Sequence, residues 1–164
     1  MNNEFMIRAA EKSDTAIILS FIKELAEYEK LAHEVKATEE HLTKNLFEKK
    51  YAEVIIGELD SIPVGFALFF HNFSTFLGKP GIYLEDLYVK EEFRGRGYGK
   101  KLLSHLAKLT IDRDCGRLDW SVLDWNKPAI DFYLSIGAIQ MDEWAVFRLT
   151  GDNLRNLNPG NLNS

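Results

Sequence analysis

The chain has one cysteine, four prolines and no long apolar run. With Cys115 as its only thiol it cannot close an intramolecular disulfide, which suits a reducing compartment. Cys115 falls in the short turn Asp114-Cys115-Gly116, and no histidine follows it at a recognisable spacing, so it reads as structural rather than nucleophilic. No stretch approaches the roughly 18 apolar residues of a membrane span. The N-terminal Met1-Asn2-Asn3-Glu4 carries neither the basic region nor the apolar stretch of a signal peptide. A cytoplasmic location without a membrane partner is therefore expected. The four histidines, His33, His41, His71 and His105, show no metal-ligand spacing, and no metal is expected. Excess positive charge is missing too: the net charge of −5 argues against a general nucleic-acid binder and favours a cationic partner. A length of 164 residues suits one ordinary domain. With neither a repeat nor a linker in view, the expected organisation is a single domain over residues 1–150 and a loose Asn/Gly-rich tail over 151–164.

What is present centres on residues 83–111, where an apolar strand runs through Arg94-Gly95-Arg96-Gly97-Tyr98-Gly99 into a helix marked by Leu102, Leu103, Leu106 and Leu109. The first amides of a helix lack internal acceptors and the macrodipole is positive there, so a strand, glycine turn and helix form a cradle for phosphate oxygens. Alternating glycines let several N–H groups converge. Arg94, Arg96, Lys100 and Lys101 add positive charge. A Walker loop does not fit, because Lys100 is followed by Lys101 rather than by a magnesium-binding hydroxyl. A dinucleotide fingerprint fits poorly, since G-x-G-x-G here lies in mid-chain instead of opening a βαβ unit. A glycine turn without a ligand stays open on these six residues alone.

Around this unit the patterning predicts a strand over residues 4–8, a helix from about 13 to 28 with an Ile17, Phe21, Leu25, Tyr28 stripe, and a short helix from Thr38 to about 48. A hairpin over 52–59 and 62–70 crosses Asp60-Ser61, and strands follow at 82–89 and 117–122. A helix opens at Asn126-Lys127-Pro128 and runs to Gly137, and two closing strands are expected over 138–141 and 145–149. The order is mixed α/β around one sheet.

Two carboxylates, Glu85 and Asp86, interrupt the apolar strand just before the glycine turn. Neighbouring strand residues point to opposite faces, so at least one of them is expected to be partly buried, at a cost that a function can explain. Glu85 shares a face with Leu87 and Val89 on simple alternation, and desolvation would make it a proton acceptor near neutral pH. From Lys23 to Glu40 six glutamates stand against three lysines, and Glu27 and Glu29 sit near a helix C-terminus, where the dipole disfavours them. The run reads as a solvated face or as an attractor for a cationic substrate. Tyr133, on the helix after Asn126, reads as core or as a phenol that could protonate a departing thiolate, about pKa 10 against about 8.5. No Ser-His-Asp order is evident.

Arg94, Gly97 and Gly99 at the spacing Arg-x-x-Gly-x-Gly resemble the acyl-CoA pyrophosphate loop of the GNAT N-acetyltransferases. Tyr83-Leu84-Glu85-Asp86-Leu87-Tyr88-Val89, Trp125-Asn126-Lys127-Pro128 with Phe132-Tyr133, and Leu25-Ala26-Glu27-Tyr28-Glu29 resemble the diamine (spermidine/spermine) branch. The resemblance implies a GNAT fold: a central, mixed, mostly antiparallel sheet of six to seven strands with helices on both faces. It implies that Leu87, Tyr88 and Val89 pair with the acetyl-pantetheine arm, that Arg94, Gly95, Arg96, Gly97, Tyr98, Gly99 and Lys100 form the cofactor loop, and that Asn126, Pro128 and Ala129 flank CoA. It further implies Tyr133 as general acid, Glu85 as base or amine-binding carboxylate, and Tyr28 and Glu29 as parts of the amine pocket. The expected activity is acetyl transfer from acetyl-CoA to a small diamine, polyamine or lysine-like amine, in a homodimer. Acetylation of a protein lysine or N-terminus, and a non-catalytic acyl-CoA sensor, are the competing readings. The tail after Leu149 departs from the branch.

Overall fold

The computed structural model describes residues 4–160; Met1 to Asn3 and residues 161–164, parts of the expected N-terminus and tail, lie outside it. The described chain groups into two compact units that meet at Leu123 and Asp124 in sequence.

The first unit is a five-stranded sheet in the order β1-β2-β3-β4-β5, formed by Phe5–Ala9, Glu53–Leu59, Ile62–Ser74, Lys79–Val89 and Leu118–Trp120. The first four strands are antiparallel neighbours and β5 joins β4 in parallel. A two-residue turn at Asp60 and Ser61, both with positive φ, reverses the chain and closes the β2–β3 hairpin. The helices α1 (Thr15–Tyr28), α2 (Glu39–Leu42, continued by a wider turn to Glu48) and α3 (Tyr98–Asp112) complete this unit.

Alternation along the strands sorts the core into two layers. Val54, Ile56, Phe66 and Tyr88 pack with Ile18 and Phe21 of α1 and with Leu46. The opposite face carries Gly57 beneath the Phe5 ring, and Phe5 stacks on Tyr98 at the start of α3, with centroids 4.3 Å apart and planes 6° from parallel. Phe21 and Phe66, both fully buried, lie 5.4 Å apart. Truncating either to Ala should cost about 3–5 kcal/mol. Thr38 begins α2 as its sequence suggests, its hydroxyl accepting from the His41 amide at 3.1 Å.

The second unit holds α4 (Lys127–Ser135) and a short α5 (Gly151–Asn156). Asn126 caps α4 by accepting from the Ala129 amide at 3.4 Å, and Pro128 sits in the first turn, where no amide donor is missed. Two sequence expectations fail here. The sheet has five described strands rather than six to seven, because residues 138–149 form neither closing strand. Their composition favours strand, but strand propensity expresses packing on a paired, half-buried surface. These residues have no ladder partner, and Trp144, Val146 and Phe147 are exposed. The tail, expected to be loose, instead makes the helical turn of α5, with Asp152 in its first turn and Arg155 in its last.

Candidate active site

The site in the first unit is built where β4 ends. Its pairing with β5 covers only Ile82, Tyr83 and Leu84, so from Glu85 onward β4 has a side that β5 does not reach. Lys90 donates its amide to Val64 of β3 at 2.9 Å, which makes that opposed pair the hydrogen-bonded one. In an antiparallel ladder the neighbouring pair, Val89 with Gly65, then directs its N–H and C=O outward. Leu87, two residues back in unbroken register, does the same. The main-chain groups of Leu87 and Val89 thus line the side of β4 that an extended ligand could join as a further strand. Tyr88 turns its main chain to β3 and its ring to α1, where it is buried.

The glycine turn follows directly. Gly95 and Gly97 have φ of 76° and 79°, a left-handed conformation that any side chain would strain, and Gly97 is the N-cap of α3. A Cβ at either glycine would meet nothing within 4 Å. The space beside both glycines is therefore open, and Lys100 and Lys101 lie in the first turn of α3. This geometry fits a pyrophosphate.

The acidic groups gather at an irregularity in β4. Asp86 faces Leu68 of β3, the next pair is Leu84 with Phe69, and Glu85 is the residue left over. This bulge overturns the simple alternation that placed Glu85 on a buried face. Glu85 is exposed, whereas Asp86 turns into the structure on the same face as Tyr88, toward α1. Burial falls on Asp86. Its carboxyl is pushed up to about 6, first by desolvation and then by the negative charges of Glu85 and Glu29. Glu29, at the C-cap of α1, is also raised, by burial. The three carboxylates share one electrostatic neighbourhood. The rest of the acidic run divides: Glu24 hydrogen-bonds the Tyr88 phenol, while Glu34, Glu39 and Glu40 are exposed. Burial, with the Glu24 bond second, pushes that phenol up to about 12. A bulge at Glu85 has no signal in single-residue alternation; only the β3 register exposes it.

Arg94 does not project from the loop as the sequence suggests. Its Nε donates to the Val89 carbonyl at 2.9 Å, and its guanidinium carbon lies 4.8 Å from the centre of the Tyr28 ring and 5.4 Å from that of Tyr88. Arg96 lies over the Phe93 ring at 5.5 Å. Of the sequence-predicted residues, the first unit holds Tyr28, Glu29, Glu85, Leu87 to Val89 and the loop from Arg94 to Lys100. Asn126, Pro128, Ala129 and Tyr133 belong to the second, on or beside α4, where the Tyr133 and Phe132 rings lie 5.7 Å apart.

Comparison with known proteins identifies the family. Residues 19–138 match the acetyltransferase (GNAT) family. The chain is 42% identical to a thialysine N-epsilon-acetyltransferase of Bos taurus, covering 93% of this chain and 96% of the relative. It is 31% identical to an L-ornithine N5-acetyltransferase of Arabidopsis thaliana, covering 95% and 89%. Among solved structures, an integron cassette protein from the mobile metagenome of V. cholerae superposes with a TM-score of 0.79 at 29% identity, over 94% of this chain and 98% of that one. The mixed α and β sheet, the glycine turn and these relatives agree: the chain belongs to the GNAT family and is an acetyl-CoA-dependent N-acetyltransferase.

Proposed function

We propose that this enzyme acetylates the primary amine of a small cation, a diamine, polyamine or lysine-like amino acid. The observation that carries the reading is the trio Glu29, Glu85 and Asp86, gathered at the bulge beside the open side of β4. A cationic amine entering there would relieve the repulsion among the three carboxylates. The names of the relatives, acting on thialysine and ornithine, point the same way.

Acetyl-CoA supplies the thioester. In the proposed reaction Leu87 and Val89 hold its arm by main-chain bonds, the amides and lysine of Gly95 to Lys100 hold the pyrophosphate, and Asn126, Pro128 and Ala129 flank CoA. Tyr28 and Glu29 bind the far end of the amine. Glu85 receives or orients the reacting ammonium, and Asp86, the neighbour whose affinity for a proton lies near neutrality, assists in taking that proton. The neutral amine attacks the carbonyl carbon, the C–S bond breaks, and Tyr133 protonates the departing sulfur. Residues 1–150 act as one catalytic domain in this reading, in a cytoplasmic homodimer that sedimentation at several concentrations would check.

The decisive assay is thiol release from acetyl-CoA with a panel of free amines and peptides. Diamines and lysine-like amines should be the best acceptors. Preference for peptide lysines or N-termini would favour the protein-acetylating alternative, and CoA binding without thiol release would favour a sensor.

A further inference from the structure

Resting on that reading, we propose that Arg94 is a positioning residue for the amine pocket, and that it is not a ligand of the cofactor phosphates. Its guanidinium is already engaged on three sides, by the Val89 carbonyl, the Tyr28 ring and the Tyr88 ring. Val89 is the last residue of β4 and Tyr28 the last of α1. One side chain therefore ties the end of the helix that carries Tyr28 and Glu29 to the end of the strand that carries Glu85 and Asp86.

The bonds explain why arginine suits this place. A planar guanidinium can stack its face on aromatic rings while its edge donates to a carbonyl, which an ammonium cannot do at the same time. Glu24 bonds the Tyr88 phenol, so the clamp continues from Arg94 through Tyr88 back to α1. The Val89 carbonyl that Arg94 occupies points to the open side of β4, which puts the clamp at the junction of the arm site and the amine site. The phosphate cradle does not need this guanidinium: the left-handed Gly95 and Gly97, the first amides of α3, and Lys100 and Lys101 supply donors and charge without it.

The test compares Arg94→Ala and Arg94→Lys with wild type in three measurements: CoA affinity by calorimetry, steady-state KM for the amine and for acetyl-CoA, and amide hydrogen exchange over residues 25–31. Arg94→Ala should leave the CoA Kd within about threefold, raise the amine KM at least about tenfold, and accelerate exchange over 25–31 by about tenfold or more. Arg94→Lys should recover part of the exchange protection and little of the amine KM. A tenfold or greater loss of CoA affinity, with exchange over 25–31 unchanged, would overturn the proposal. A wild-type protein that releases no thiol with any amine would instead sink the acetyl-transfer reading to small amines, while the calorimetric and exchange measurements would still judge the clamp.

Discussion

Asp86 stands opposite Leu68 across the β3–β4 ladder while the next pair is Leu84 with Phe69, and this one-residue slip sets a half-buried carboxylate on the face that packs on α1. Such bulges re-aim side chains locally. Here the re-aimed group is the one whose affinity for a proton rises furthest among the carboxylates, beside Glu29 and Glu85.

The first expectation follows from Asp86. A carboxyl whose folded pKa, about 6, exceeds its unfolded value stabilises the fold fully only below that unfolded value. The contribution is lost as pH rises through about 6. Asp86→Asn cannot ionise, so it should be more stable than wild type at neutral pH by about 1–3 kcal/mol, with the difference shrinking toward pH values of about 4. Urea unfolding at the two pH values measures this. The same variant should lose the acid limb near pH 6 that wild-type kcat/KM is expected to show. A variant less stable than wild type at both pH values would remove the basis for this assignment.

Acetyl-CoA or CoA should raise the melting temperature, because a ligand that binds only the folded state stabilises by mass action. At a hundredfold excess over Kd the gain is about 2.7 kcal/mol, or roughly 5–10 °C for a chain of this size. Gly97→Asp forces a side chain onto a φ of 79° and sets a negative charge at the cradle. That variant should lose the shift. Equal CoA shifts in the two proteins would mean that the glycine turn is not the phosphate site.

Glu29→Gln removes charge from the proposed amine side and leaves the cradle untouched. The amine KM should rise roughly tenfold for a dication, about 1.4 kcal/mol, with the KM of acetyl-CoA unchanged. A neutral arylamine should be nearly indifferent to the change. If the arylamine and the diamine lost equally, charge would not be the reason for Glu29.

Tyr133→Phe keeps the ring and removes the proton. Turnover should fall by roughly a hundredfold, in kcat more than in KM, with CoA binding and stability nearly unchanged. A kcat equal to that of wild type between about pH 7 and 9 would make Tyr133 a packing residue.

Much of this protein is legible in its sequence because the relevant interactions are local. The glycine spacing from Arg94 to Gly99 and the apolar period that follows determine a helix N-terminus, since φ freedom and exposed amides depend only on neighbouring residues. Thr38 and Asn126 announce their helices for the same reason, each bonding an amide three positions on. The order of α1, the β2–β3 hairpin, β4, α3 and β5 follows from periodicity within each segment.

Pairing is different. Whether residues 138–149 become strands depends on a partner that their own alternation cannot supply, and they form none here. Which of Glu85 and Asp86 is buried depends on the β3 residues across the ladder, and a single extra residue reverses the answer. The place of Arg94 depends on Tyr28, 66 positions earlier. Sequence alone determined the glycine turn that opens α3 and the positive charge beside it. Only the tertiary structure decided which carboxylate is desolvated and which way the arginine turns, because desolvation and stacking are set by groups far apart in the chain.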